Sequence, residues 1–130
     1  MINNIELYEF DPKIYPYKLW IRIGVDFENI KENFLDGEGE EIDGLESDTN
    51  KFQAFTMKVM AKDFNSYGVL ICFRKKKDLS NYEIVAHECS HATKFLCEHT
   101  GIDLNEHEPS EYVIGWMAKC CQKILRNKLA

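Results

Sequence analysis

Two imidazoles four residues apart with a carboxylate between them, His87-Glu88-Cys89-Ser90-His91, are the side chains of this sequence best suited to chemistry. On a helix, positions four apart share a face, so His87 and His91 can turn toward one ion. Neutral imidazole is a good zinc ligand, and two of them leave room for a third protein donor and a water. Glu88 stands about 100° further round the helix axis, where its carboxylate can reach that water without occupying the metal. It would then act as a general base on a water whose pKa zinc has lowered to about 7.

The motif needs a helix, and its flanks supply one. Ser80-Asn81-Tyr82-Glu83 reads as a capping box two turns ahead of His87. Ile84, Val85, Ala92, Phe95 and Leu96 recur at helical spacing, and Gly101 is a C-terminal stop. The plainer reading is a pair of histidines satisfied by core or solvent contacts. The intervening glutamate and the capped helix weigh against it.

A zinc site needs one more donor. Beyond the connection from Thr100 to His107, a second long helix is predicted, with Pro109 in its first turn. Val113, Ile114, Met117, Cys120, Cys121, Ile124 and Leu125 form its apolar face, and Lys119, Lys123, Arg126 and Lys128 gather toward its C-terminal end, where cations are favoured. Glu108 and Glu111, both in its first turn, are the candidate third ligands, and geometry alone does not separate them. An antiparallel return brings this turn to the far end of the motif helix, so either the helices cross steeply or the connection runs back along the first helix. His107 is a weaker candidate, and His99 lies two turns past His91, too far to share its ion. Tyr112, one turn from Glu108, is a candidate partner for a developing oxyanion, although an aromatic on a helix more often packs in a core.

His-Glu-Cys-Ser-His-Ala followed by Glu-Pro-Ser-Glu-Tyr-Val-Ile-Gly-Trp resembles a group of small zincin-like proteins of phages and phage-derived bacterial regions. The resemblance extends from about Tyr15 to Cys121 and takes in Tyr-Pro-Tyr-Lys-Leu-Trp near the start. It implies a zinc-dependent, gluzincin-type metallopeptidase with His87 and His91 as ligands, Glu88 as base and Glu108, the glutamate before the proline, as third ligand. Glu111 falls where that group commonly has a small residue. In zincins generally, a strand beside the active-site helix holds an extended peptide substrate by main-chain bonds. The strand that precedes the motif helix, Tyr67 to Phe73, is the expected edge. The alternative to a peptidase is a non-catalytic metal-binding structural or assembly factor of phage origin, or an interaction module in which the histidines are structural. Peptide deformylase also carries H-E-x-x-H, but its upstream cysteine context is not matched by Cys72 in Ile-Cys-Phe.

Around the motifs, Ile5 to Phe10, Ile14 to Gly24, Phe52 to Phe64 and Tyr67 to Lys77 read as strands, the second beginning near Pro16 at an edge. Asn65-Ser66-Tyr67-Gly68 reads as a hairpin turn and Phe27 to Leu35 as a short helix capped by Asp26. Asp36 to Asn50 is an acidic, turn-rich loop without the ligand spacing of a calcium-binding loop. Arg74 to Lys77 is most simply a solvated strand end, with an acidic substrate as the sharper use. Strands followed by two helices define an α+β fold: a small, mostly antiparallel sheet packed on the motif helix and the second helix, as one zincin-like domain over residues 1–130.

The frame agrees with this. The chain has 130 residues, 45% of them hydrophobic and 29% charged, with a net charge of −6. That balance suits one globular domain and speaks against a broad nucleic-acid surface. Neither a signal peptide nor an apolar run long enough for a membrane span is apparent, so the expected setting is cytoplasmic, with a peptide or protein substrate and no membrane partner. Five cysteines, an odd number, are expected as buried thiols rather than disulfides. Pairing Cys89 or Cys97 with Cys120 or Cys121 around a metal is the sharper alternative.

Overall fold

The computed structural model describes residues 5–24, 29–42, 53–63, 66–105 and 107–126, with the side chain of His107 left aside. Five strands, β1 (Glu6–Phe10), β2 (Lys18–Ile23), β3 (Phe34–Asp36), β4 (Ala54–Ala61) and β5 (Tyr67–Phe73), form one sheet in the order β1-β2-β5-β4-β3. Three of the four pairings are antiparallel; β2 and β5 run parallel, with Ile21 opposite Ile71. A single turn of helix, α1 (Ile30–Asn33), precedes β3, and two long helices, α2 (Tyr82–Thr100) and α3 (His107–Leu125), end the fold. The expected α+β class is the observed one.

The apolar run Val69-Leu70-Ile71-Cys72-Phe73 explains where β5 sits. A strand with one wet face alternates in hydropathy, whereas an unbroken apolar run suits a strand covered on both faces. Val69, Ile71 and Phe73 face the two long helices, together with Leu19, Ile21, Val85, Ala92, Leu96, Met117 and Ile124. Leu70 and Cys72 face the opposite way, toward Trp20, Ile30, Phe34, Ile42 and Val59. β5 is therefore the middle strand, bonded to β2 on one side and β4 on the other. It has no free edge for a substrate, which corrects the expectation drawn from its place before the motif helix.

Other boundaries moved for local reasons. β5 stops at Phe73, and the basic segment turns into a 3-10 helix over Lys76–Ser80. The expected helix to Leu35 ends at Asn33, because Phe34 and Leu35 are taken up by pairing with Ala61 and Met60. Phe34 meets the Trp20 ring edge-on, with centroids 5.0 Å apart. Phe27 lies outside the described residues, as do residues 43–50 of the acidic loop; its start is a turn in which the Asp36 carboxylate accepts the N–H groups of Glu38 and Glu40.

Both ends of α2 are built as helix termini should be, one residue from expectation at the start. Asn81, not Ser80, is the cap: its side-chain oxygen accepts from the N–H groups of Glu83 and Ile84. The Ser80 hydroxyl instead closes the preceding 3-10 turn on the Lys77 carbonyl. Gly101 adopts the left-handed conformation (φ 79°) and closes the C-terminus.

Candidate metal centre

Helix α2 buries Val85, Cys89, Ala92, Thr93, Leu96 and Cys97. His87 and His91 fall on the flank left open and are both exposed. Their Nε2 atoms lie 3.2 Å apart, with the rings nearly perpendicular at 80°. Two imidazole nitrogens, each about 2.0–2.1 Å from one tetrahedral zinc, stand about 3.4 Å apart. The pair therefore fits a shared ion with little rearrangement.

Glu88 turns from the histidines toward the sheet and is only 7% exposed. Its carboxylate accepts a hydrogen bond from the Thr56 hydroxyl on β4, at 2.5 Å. This contact pins the carboxylate where α2 crosses the strand. Gln53, Ala54, Glu83 and Ile84 complete a pocket of about 200 Å³ with His87 and Glu88. The motif thus opens onto the start of β4. Thr56 lies outside any pattern legible in the sequence, since it meets Glu88 only through the packing of helix on sheet. Glu83 carried a signal in its spacing, four residues before His87 on the same helix face.

Among the described residues, that stretch of β4 has an unpaired edge. The Arg74 N–H donates to the Gln53 carbonyl and the Ala61 N–H to the Ser66 carbonyl, so odd-numbered positions of β4 bond toward β5. Ala54, Thr56 and Lys58 direct their main-chain groups the other way. β3 pairs with Val59 to Ala61 and Gly37 lies against Lys58, and among the described residues no strand pairs with that side of Ala54 to Met57.

Helix α3 reaches α2 on another face. Thr93 lies against Met117, with Oγ1 3.6 Å from Sδ, and Cys89 hydrogen-bonds with Cys121. These contacts define an antiparallel pair. Thr93 is two residues beyond His91, about 200° round the axis, so α3 packs on the side of α2 away from the histidines. Glu108 is nine residues before Met117, about 13 Å further toward the C-terminal end of α2. The structure brings His87 and His91 together, sets His87 and Glu88 in the lining of one small pocket, and leaves Glu108, Glu111 and Tyr112 apart from them, all three exposed. Among the described residues, no three His, Cys, Asp or Glu side chains are grouped to hold a metal.

His99 sits between the rings of Tyr17 and Tyr67, with centroids at 4.7 and 5.4 Å, away from the pair. All five cysteines are free and buried. No described helix is long and apolar enough to cross a membrane. Compared with protein-family models, curated proteins and solved structures, the chain has no match.

Proposed function

We propose that the chain is a zinc-dependent hydrolase of peptide or related amide bonds, with His87 and His91 as two of the metal ligands and Glu88 as general base; among the described residues no third donor stands beside the pair. The observation that carries this reading is the 3.2 Å approach of the two Nε2 atoms beside a buried carboxylate. Exposure of the pair supports catalysis over a purely structural site, since structural zinc sites are closed by four protein ligands and catalytic ones keep a position open. The resemblance to phage-associated zincin-like proteins supports it as well.

When bound, zinc would supply a water acidic enough to lose its proton near neutral pH and a Lewis acid for the scissile carbonyl. Glu88 would take that proton and deliver it to the departing amine. Thr56 holds one carboxylate oxygen, leaving the other for the proton. The outer edge of β4, from Ala54 to Met57, is the proposed seat of an extended substrate, bonded main chain to main chain beside His87 and Glu88. It takes the role that sequence order had suggested for β5.

The test is zinc content and turnover of a peptide library by wild type, His91→Ala and Glu88→Gln. Wild type should hold about one zinc and turn over peptide; His91→Ala should lose the metal. Glu88→Gln should keep it and lose about 10²–10⁴-fold in turnover. Weaker zinc binding in Glu88→Gln, with no hydrolysis by wild type, would instead favour a metal-stabilised structural or assembly factor, in which Glu88 only orients a ligand.

A further inference from the structure

We propose that a second pocket, between the β1–β2 connection and the two long helices, binds a small organic ammonium ion. Its volume of about 430 Å³ is that of a small-molecule site. Tyr15 of the connection and Tyr112 and Trp116 of α3 contribute three aromatic rings, Leu96 and Val113 are among its apolar walls, and Glu108 is the one charged side chain of its lining among the described residues.

That combination selects for charge and shape together. Aromatic faces attract a cation through their quadrupole, and a quaternary or alkylated ammonium brings methyl groups that suit an apolar wall. The carboxylate adds a counter-charge, and among the described residues the lining offers no cation to an anionic ligand. A net charge of −6 favours the approach of a cation. Tyr15 and Trp116 are packed in part against the main core, which holds their rings in place. Tyr112, 74% exposed, forms an outer wall of the pocket. A single lysine side chain from a partner would fill only a fraction of the space.

The pocket also accounts for residues that the metal centre leaves unused. Glu108, Pro109, Tyr112 and Trp116 fall at i, i+1, i+4 and i+8, within about 100° of one another around α3. The Glu-Pro-x-x-Tyr-x-x-Gly-Trp segment is thus one stripe of that helix, and this stripe lines the pocket. The inference is independent of the hydrolase reading.

Calorimetric titration with choline, and with its neutral isostere 3,3-dimethylbutan-1-ol, tests it. Wild type should bind choline saturably at one site, about tenfold or more tightly than the alcohol. Glu108→Gln and Tyr112→Leu, both at exposed positions whose replacement spares the core, should each weaken choline binding about tenfold and leave zinc content unchanged. Absence of saturable choline binding by wild type, equal affinity for the alcohol, or binding only of a blocked lysine or arginine peptide would overturn the proposal. So would loss of zinc from Glu108→Gln with choline affinity intact, which would return Glu108 to the metal.

Discussion

A general base works only if its carboxylate is aimed, and at Glu88 the aiming is done by one hydroxyl on a neighbouring strand. Thr56 lies on β4, 32 residues earlier in the chain, and donates to Glu88 at 2.5 Å. Without it, a mostly buried carboxylate would keep its place in the packing but lose the bond that selects which oxygen faces the cleft. Thr56→Val preserves shape and removes the donor, so turnover should fall about 10–100-fold, in line with the roughly 1.5–3 kcal/mol of a hydrogen bond to a charged group. Zinc content should not change, and Thr56→Ser should restore most of the rate. A valine variant as active as wild type would remove Thr56 from the machinery. The two histidines and Glu88 were legible because helical spacing is local: residues four apart meet whatever the rest of the fold does. Thr56 was not legible, because its meeting with Glu88 depends on which strand lies beneath α2.

Among the elements, the parallel pairing of β2 with β5 explains both what could be read and what could not. The apolar run of β5 announced a strand; that an unbroken run suits a strand covered on both faces explains its place only once the sheet order is seen. Its neighbours are set by long-range pairing, which periodicity does not encode; hence an edge was expected where a centre lies. The same limit applies to α3. Its apolar face and first turn were readable, but the face of α2 that it meets is decided by how Met117 and Cys121 seat against Thr93 and Cys89. Gly68 is where the strand pairing is most exacting. A Cβ there would lie 2.3 Å from the Lys18 carbonyl oxygen and 2.6 Å from the Trp20 ring. Gly68→Ala must therefore push β2 away from β5 or turn the indole out, and it should destabilise the fold by about 1–3 kcal/mol, the usual cost of overpacking. Asn81→Ala, which removes the cap of α2, should cost about 1 kcal/mol. Urea midpoints measure both, and a Gly68→Ala protein as stable as wild type would mean that the two strands sit further apart than described here.

For the molecule as a whole, the buried thiols make stability a function of alkaline pH. Burial is the main cause that pushes the Cys120 thiol up to about 12 from an ordinary 9.0. Burial also raises Cys72 and Cys97, while the hydrogen bond with Cys89 comes first, ahead of burial, in raising Cys121. The Tyr17 hydroxyl is raised as well, by burial and by the nearby Glu98 carboxylate. Each of these groups stays protonated in the folded chain at pH values where the unfolded chain would ionise. The folded state then binds more protons, and stability falls as pH rises. This contribution is fully present below the ordinary thiol pKa and drains away from about pH 9 upward, toward about 12 for Cys120. Each such group removes about 1.4 kcal/mol per pH unit across its window. The urea midpoint should accordingly be level from pH 7 to pH 8.5 and drop clearly by pH 10. In the same samples, a thiol-reactive disulfide reagent at pH 8 should label none of the five cysteines rapidly in the native protein and all five in denaturant, because all are buried. A midpoint unchanged to pH 10.5, or rapid native labelling, would contradict a core that holds its cysteines as protonated hydrophobes.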